Sequence, residues 1–299
     1  YVEGILDWGT EVVLWLQQFS PALDPFFQAL TFLGEEDFFL LLLPLVYWCL
    51  DRRTGARLTI LFLLSTYLNA VIKLVVDQPR PFEYDPRVKK LWETTGGGFP
   101  SNHTQGAVVV WGYLATQFRR RWLWILAILL MVLIPLSRVY LGMHFPTDLL
   151  GGYVLGAGVL LLYLWWGPPA EKWLEEWGLP GQLILALAVP ILLAFALPIG
   201  DEASVTAAAT MMGLSAGFVL ELRWVGFRTA GAWWKRIARF LLGVAGLFAL
   251  RFGLSAAFEG LSPALLFRFI RYGLIGLWGG LGAPWAFVRL GLAETESED

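Results

Sequence analysis

The sequence predicts an all-α protein, a polytopic transmembrane helix bundle with a core of about five spans and a C-terminal extension of about four. Three observations carry this. Of 299 residues, 57% are hydrophobic and only 15% charged, more apolar surface than a soluble domain can hide. Long apolar runs broken by short charged turns recur from about residue 34 to residue 290. No run alternates with period two, which excludes a transmembrane barrel. The bilayer is therefore the first partner implied. A formal net charge of −2 and the lack of a basic stripe exclude nucleic acid. The single cysteine, Cys49, ends an apolar helix and reads as a packing residue.

Residues 1–33 carry Glu3, Asp7 and Glu11 at four-residue spacing, then Pro21 and Pro25, and read as interfacial amphipathic helices or one kinked span. That acidic start lacks the basic-then-apolar pattern of a cleaved signal. The core is expected over 34–168. Its first crossing runs from a cap at Asp37 to Leu50 and stops at Asp51-Arg52-Arg53; the second runs from about 57 to 76. After a polar loop, a third starts at Pro100-Ser101 and ends at Arg119 to Arg121, followed by a fourth over 122–140 and a fifth over 145–166. The apolar pattern pauses between Pro168-Pro169 and Pro180. The extension, 169–290, then holds spans near 181–199, 203–222, 240–258 and 265–288, and residues 291–299 form an acidic, disordered tail.

The turns with Arg52, Arg53 and Arg57, with Arg119 to Arg121, and with Arg223, Arg228, Lys235, Arg236 and Arg239 all fall on one side. By the positive-inside rule that side is the cytoplasm, although the opposite loop with Arg87, Lys89 and Lys90 is also basic. Trp92, Trp122, Trp124, Trp165, Trp166, Trp224, Trp233 and Trp234 sit at span ends as an aromatic belt.

Three polar islands share the non-cytoplasmic side in this arrangement: Lys73 to Pro81, Pro100 to His103, and Ser137 to Asp148. They contain both histidines of the chain. Each island also has an ordinary explanation. Lys73 and Arg138 sit where a cation snorkels, Ser101 where a serine caps a helix, and a His-Asp pair at four-residue spacing is often structural. Their coincidence points to chemistry. Lys73, Arg80, Arg138 and the N–H groups opening a helix at Ser101, Asn102 and His103 favour a phosphate guest. His144 and Asp148, four residues apart, suit an imidazole held by a carboxylate, and His103 supplies a second acid or base. No H-E-x-x-H and no cysteine ligands accompany them, so no metal or other cofactor is expected. Gly213-Leu-Ser215-Ala-Gly217 fits Gly-x-Ser-x-Gly, but it lies inside an apolar run and reads as close helix packing.

The islands resemble the motifs K-x6-R-P, P-S-G-H and S-R-x5-H-x3-D of the type 2 phosphatidic acid phosphatase superfamily of integral membrane lipid phosphatases. They occur in the same order, as Lys73 to Pro81, Pro100 to His103 and Ser137 to Asp148. The resemblance covers roughly residues 22–166, and Asn102 stands where the family usually has glycine. It implies a metal-independent phosphatase acting on a lipid phosphomonoester or pyrophosphate through a phosphohistidine. His144 would attack phosphorus, Asp148 would orient it, and His103 would protonate the leaving oxygen and then activate water. Lys73, Arg80, Ser101, Asn102 and Arg138 would bind the phosphate. The site would face outward from a bacterial inner membrane. A phosphotransferase on the same fold, or a transporter that only holds an anionic headgroup, are the alternatives.

Overall fold

The computed structural model describes residues 2–195 and 202–296, and among these the regular elements are all helical, with one isolated bridge between Phe227 and Thr295. Helices α1 (Val2–Gln17) and α2 (Asp24–Phe32) are separate pieces joined by a turn. Helix α3 (Glu36–Leu45) runs on as a π-helical turn, Val46–Leu50. Asp37, expected as its cap, instead lies in its first turn. Asp51 is extended, and its Oδ1 accepts from the Thr54 N–H at 2.6 Å, so α4 (Arg52–Val76) begins at the arginines expected to form the turn.

Helix α4 stops at Asp77, which takes a left-handed φ of 43°. A short α5 (Pro81–Tyr84) follows, then the loop to α6 (Asn102–Phe118) and α7 (Arg121–Tyr140). Arg119, at φ 50°, ends α6 in the left-handed region. Helix α8 (Pro146–Glu176) passes through Pro168 and Pro169 and ends within the pause expected between those prolines and Pro180. The prolines remove only their own ladder donors, and the stop comes at Gly178, whose φ of +61° suits a residue without a β-carbon. The rest is α9 (Gly178–Phe195), α10 (Glu202–Trp224), α11 (Trp233–Ala257), α12 (Ala264–Leu277), a second π-helical turn (Trp278–Gly282) and α13 (Ala283–Arg289). The turn expected between the spans near 181–199 and 203–222 lies outside the described residues.

Six segments among the described residues are long and apolar enough to cross a membrane: Arg52–Tyr84, Arg121–Tyr140, Pro146–Glu176, Ser204–Trp224, Trp233–Ala257 and Ala264–Arg289. The chain is an integral membrane protein. Apolar Gly178–Ala194 is shorter, and α6, at 17 residues, is buried from Thr104 to Ala115.

Two compact units interleave along the chain. One comprises Tyr1–Phe39 and Leu68–Trp165, the other Leu40–Tyr67 and Trp166–Asp299. In the first, α1 and α2 pack on the end of α7. The Phe27 ring stacks on Tyr140 at 4.1 Å, the Tyr140 hydroxyl donates to Asp24, and Gln17 donates to the carbonyls of Lys89 and Tyr140. In the second, Trp48 is fully buried and its indole N–H donates to Gly279 O at 3.0 Å, inside the second π-helical turn. Nearby, Glu221 accepts from Arg52 and from the Phe227 N–H. The acidic tail does not start free at residue 291. Glu294 O accepts from Arg228 N, Glu296 N donates to Gly226 O, and the Glu296 carboxylate pairs with Arg52; residues 297–299 lie outside the described part.

Candidate active site

All eight residues singled out by sequence belong to the first unit. Two helix starts meet there. Ser101 caps α6, its Oγ accepting from Thr104 N at 3.4 Å, and its own N–H donates to Asp148 O at 3.0 Å, which ties α6 to the first turn of α8. Contact this close needs glycine on α8. A β-carbon on Gly152 would stand 2.7 Å from Ser101 O and 2.7 Å from Thr104 Cβ, and one on Gly156 would stand 2.9 Å from Gln105 O. Asn69 braces the same place from α4, donating to Gln105 Oε1 at 2.8 Å and Pro100 O at 3.3 Å.

His144 is not on a helical face with Asp148, because α8 starts only at Pro146. Its ring reaches across the helix start instead, with Nδ1 3.3 Å from Asp148 Oδ2. That carboxylate is fully buried and fixed by the Phe145 N–H at 2.8 Å and by Gln78 Nε2 at 2.7 Å. With Nδ1 on the carboxylate, Nε2 is the nitrogen left for a substrate. Burial drives the His144 imidazole well below its ordinary pKa of 6.5, and the positive fields of Lys73, Arg80, Arg138 and His103 push the same way. Both effects favour the neutral imidazole.

The three cations approach from separate elements. Lys73, in the last turn of α4, donates to Gly97 O. Arg80 does not continue that helix. It caps α5 in extended conformation, and three of its N–H groups donate to Gly96 O, Met143 O and Thr95 O at 2.8, 3.0 and 2.9 Å. It thereby holds the glycine loop against the residue before His144. Arg138 is 2% exposed, donates to Thr31 Oγ1 at 2.6 Å, and leaves its Nε without a hydrogen-bond partner.

His103 brings in residues that sequence reading missed. Its Nε2 lies 3.2 Å from Glu35 Oε1, the same oxygen that accepts from Trp92 Nε1 at 2.8 Å and stands 3.5 Å from Arg138 Nη1. Burial raises the Glu35 carboxyl, but the His103 hydrogen bond and the charges of His103 and Arg138 outweigh it and hold the group below its ordinary 4.5. Glu35 lies 68 residues from His103 in the chain, and Gln78 lies 70 from Asp148, so no local spacing marked either.

The chain matches known proteins across both halves. Residues 54–172 match the description "PAP2 superfamily", and residues 205–295 match "PAP2 superfamily phosphatase, transmembrane extension". Phosphatidylglycerophosphatase B of Bacillus subtilis is 30% identical over 158 residues, covering 48% of this chain and 74% of that protein. The chain belongs to the PAP2 superfamily.

Among other PAP2 relatives, human sphingosine-1-phosphate phosphatase 2 is 32% identical over 201 residues, 64% of this chain and 49% of that protein. The undecaprenyl-diphosphatase of Sulfolobus acidocaldarius is 36% identical over 116 residues, 37% of this chain and 54% of that protein. The chain thus spans about half the length of these last two relatives. No solved structure matches.

Two open clefts among the described residues are lined by neither histidine. One of about 380 Å³, lined by Asp77, Gln78, Pro79, Glu83, Gly96 and Gly97, touches the site through Gln78 and Gly97. A larger one, about 690 Å³, belongs to the PAP2 extension, around Phe252, Glu259, Arg268 and Arg271. The Gly-x-Ser-x-Gly sequence also lies in the extension and serves packing. A β-carbon on Gly213 would collide with Gly273 O, and one on Gly217 would stand 3.0 Å from Gly280 Cα.

Proposed function

We propose that this protein is a metal-independent membrane phosphatase that hydrolyses a lipid phosphomonoester or pyrophosphate through a phosphohistidine. The observation that carries the reading is His144: buried, held at Nδ1 by Asp148, and set in the field of Lys73, Arg80, Arg138 and His103.

His144 Nε2 attacks phosphorus in line, forming an N–P bond as the P–O bond to the lipid breaks. Asp148 stabilises the positive phosphoimidazole, and a proton from His103 goes to the departing alkoxide. His103 then takes a proton from water, whose oxygen attacks phosphorus. The N–P bond breaks, its electron pair returns to Nε2, and inorganic phosphate leaves. Lys73, Arg138, Ser101, the remaining N–H groups of Arg80 and the backbone N–H groups of Asn102 and His103 stabilise the equatorial oxygens. Losing one such donor raises the barrier by about 3 kcal/mol.

The names of the relatives span a sphingoid phosphate, a polyprenyl diphosphate and a glycerophospholipid phosphate. Their shared chemistry is an apolar tail on a phosphate, which suits a substrate drawn from the bilayer. The charge pattern of the turns supports a site on the non-cytoplasmic face, and the Bacillus subtilis relative supports a bacterial cell membrane. Purified protein is expected to release phosphate from such lipids in EDTA, and His144→Ala to abolish that release. Full activity in His144→Ala would overturn the reading.

A further inference from the structure

We infer that Glu35 is a positioning residue of the reaction, the carboxylate that holds His103 as the leaving-group acid in the way Asp148 holds His144 as the nucleophile. The inference rests on the phosphatase reading and extends it to the junction of α2 and α3.

The two imidazoles are gripped at opposite nitrogens. Asp148 takes Nδ1 of His144 at 3.3 Å, and Glu35 takes Nε2 of His103 at 3.2 Å. Each grip leaves the other ring nitrogen for the substrate: Nε2 on His144 to bond phosphorus, Nδ1 on His103 to pass a proton. The carboxylate accepts Nε2–H and supports the imidazolium against burial and the charges of Arg138 and Lys73, which hold the His103 pKa down to about 4 despite that contact. Glu35 is itself fixed, because the same Oε1 accepts from the Trp92 indole at 2.8 Å and faces Arg138 at 3.5 Å. The residue before it completes the grip. A β-carbon on Gly34 would run into His103 Cδ2 and stand 3.0 Å from Ile134 Cγ2, so the backbone at Gly34 lies directly against the imidazole. Gly34 supports the ring while Glu35 binds its edge.

Glu35 also touches Arg138, and a loss of activity alone does not separate the two contacts. The leaving group does. When the P–O bond breaks, an alkoxide needs a proton and a nitrophenolate does not, whereas phosphate binding by Arg138 serves both equally. The test compares a long-chain alkyl phosphate with a nitrophenyl phosphate carrying the same chain, in mixed micelles. Wild type, Glu35→Gln, Glu35→Asp, Gly34→Ala, His103→Ala and Thr31→Val are assayed, with the thermal midpoint of each recorded in detergent.

Glu35→Gln is expected to lower kcat on the alkyl ester by about tenfold or more and on the nitrophenyl ester by less than about threefold. Glu35→Asp is expected to recover part of the alkyl activity. Gly34→Ala, which displaces the ring and leaves the carboxylate in place, is expected to share the bias toward the alkyl ester. Thr31→Val, which removes only a partner of Arg138, is expected to lower both esters alike. Adding Glu35→Gln to His103→Ala is expected to cost nothing further on the alkyl ester. Equal losses on both esters in Glu35→Gln, or no loss on either, would overturn the role of Glu35 while leaving the phosphatase reading intact. If His103→Ala itself showed no leaving-group bias, the acid role of His103 would fall, and the role of Glu35 with it.

Discussion

Gly152 of α8 lies so close to Ser101 that a β-carbon on it would stand 2.7 Å from the Ser101 carbonyl oxygen. Ser101 N in turn donates to Asp148 O at 3.0 Å, so the spacing of α6 and α8 sets how far the Asp148 end of the site stands from the Ser101-Asn102-His103 end. Gly152→Ala should force the helices apart, cost about 1–3 kcal/mol of stability and lower kcat. Gly158, on the same helix, has nothing within 4 Å of an added β-carbon, and Gly158→Ala should leave activity unchanged. Thermal midpoints and phosphate-release rates of the pair check this.

Arg80 illustrates what the sequence disclosed and what it withheld. Its place in Lys73 to Pro81 marked it as a cation near phosphate, yet three of its N–H groups hold backbone carbonyls. A lysine keeps the charge and loses the fork. Arg80→Lys should therefore lower kcat/KM roughly a hundredfold, with the segment Thr95–Gly97 becoming more exposed to protease. Retained activity in Arg80→Lys would show that charge alone suffices.

The three islands were legible because each packs its polar groups into one short stretch beside a long apolar run. Their convergence within one unit follows from glycines at 152 and 156, which only a structure shows to be contacts. Glu35 and Gln78 were not legible, since each is a lone polar side chain far in sequence from the group it binds. The interleaving of units was hidden for a similar reason. Leu40–Tyr67 joins the C-terminal helices through Tyr47 and Trp48, whose partners Gly280 and Gly279 lie more than 200 residues away. Apolar periodicity reports that a helix is buried, not which helix buries it.

Stability should depend on pH through His144. Its folded pKa lies well below the ordinary 6.5, so below pH 6.5 the unfolded chain binds a proton that the native protein does not. Stability is then lost as pH falls from 6.5 toward the folded value, by up to about 1.4 kcal/mol per pH unit. In detergent, the difference in unfolding free energy between wild type and His144→Gln should shrink as pH is lowered from 7 to 5 by about that slope. A difference independent of pH would contradict a neutral buried imidazole.

In the extension, Gly213 and Ser215 separate packing from chemistry. Gly213→Val should destabilise by about 1–3 kcal/mol or more, because its side chain would collide with the Gly273 carbonyl and the Leu277 backbone nitrogen. Ser215→Ala should keep phosphate release within about twofold of wild type, as expected of a residue outside the chemistry. Loss of turnover in Ser215→Ala with an unchanged thermal midpoint would reopen a serine nucleophile.

The central claim is that phosphorus is carried by His144 between lipid and water. Wild type turning over a radiolabelled lipid phosphate in EDTA, quenched in base and digested, should yield label on the peptide containing His144, stable to base and released by acid. His144→Ala should carry no label and release no phosphate. Label on a serine or aspartate peptide, or undiminished phosphate release from His144→Ala, would contradict the account.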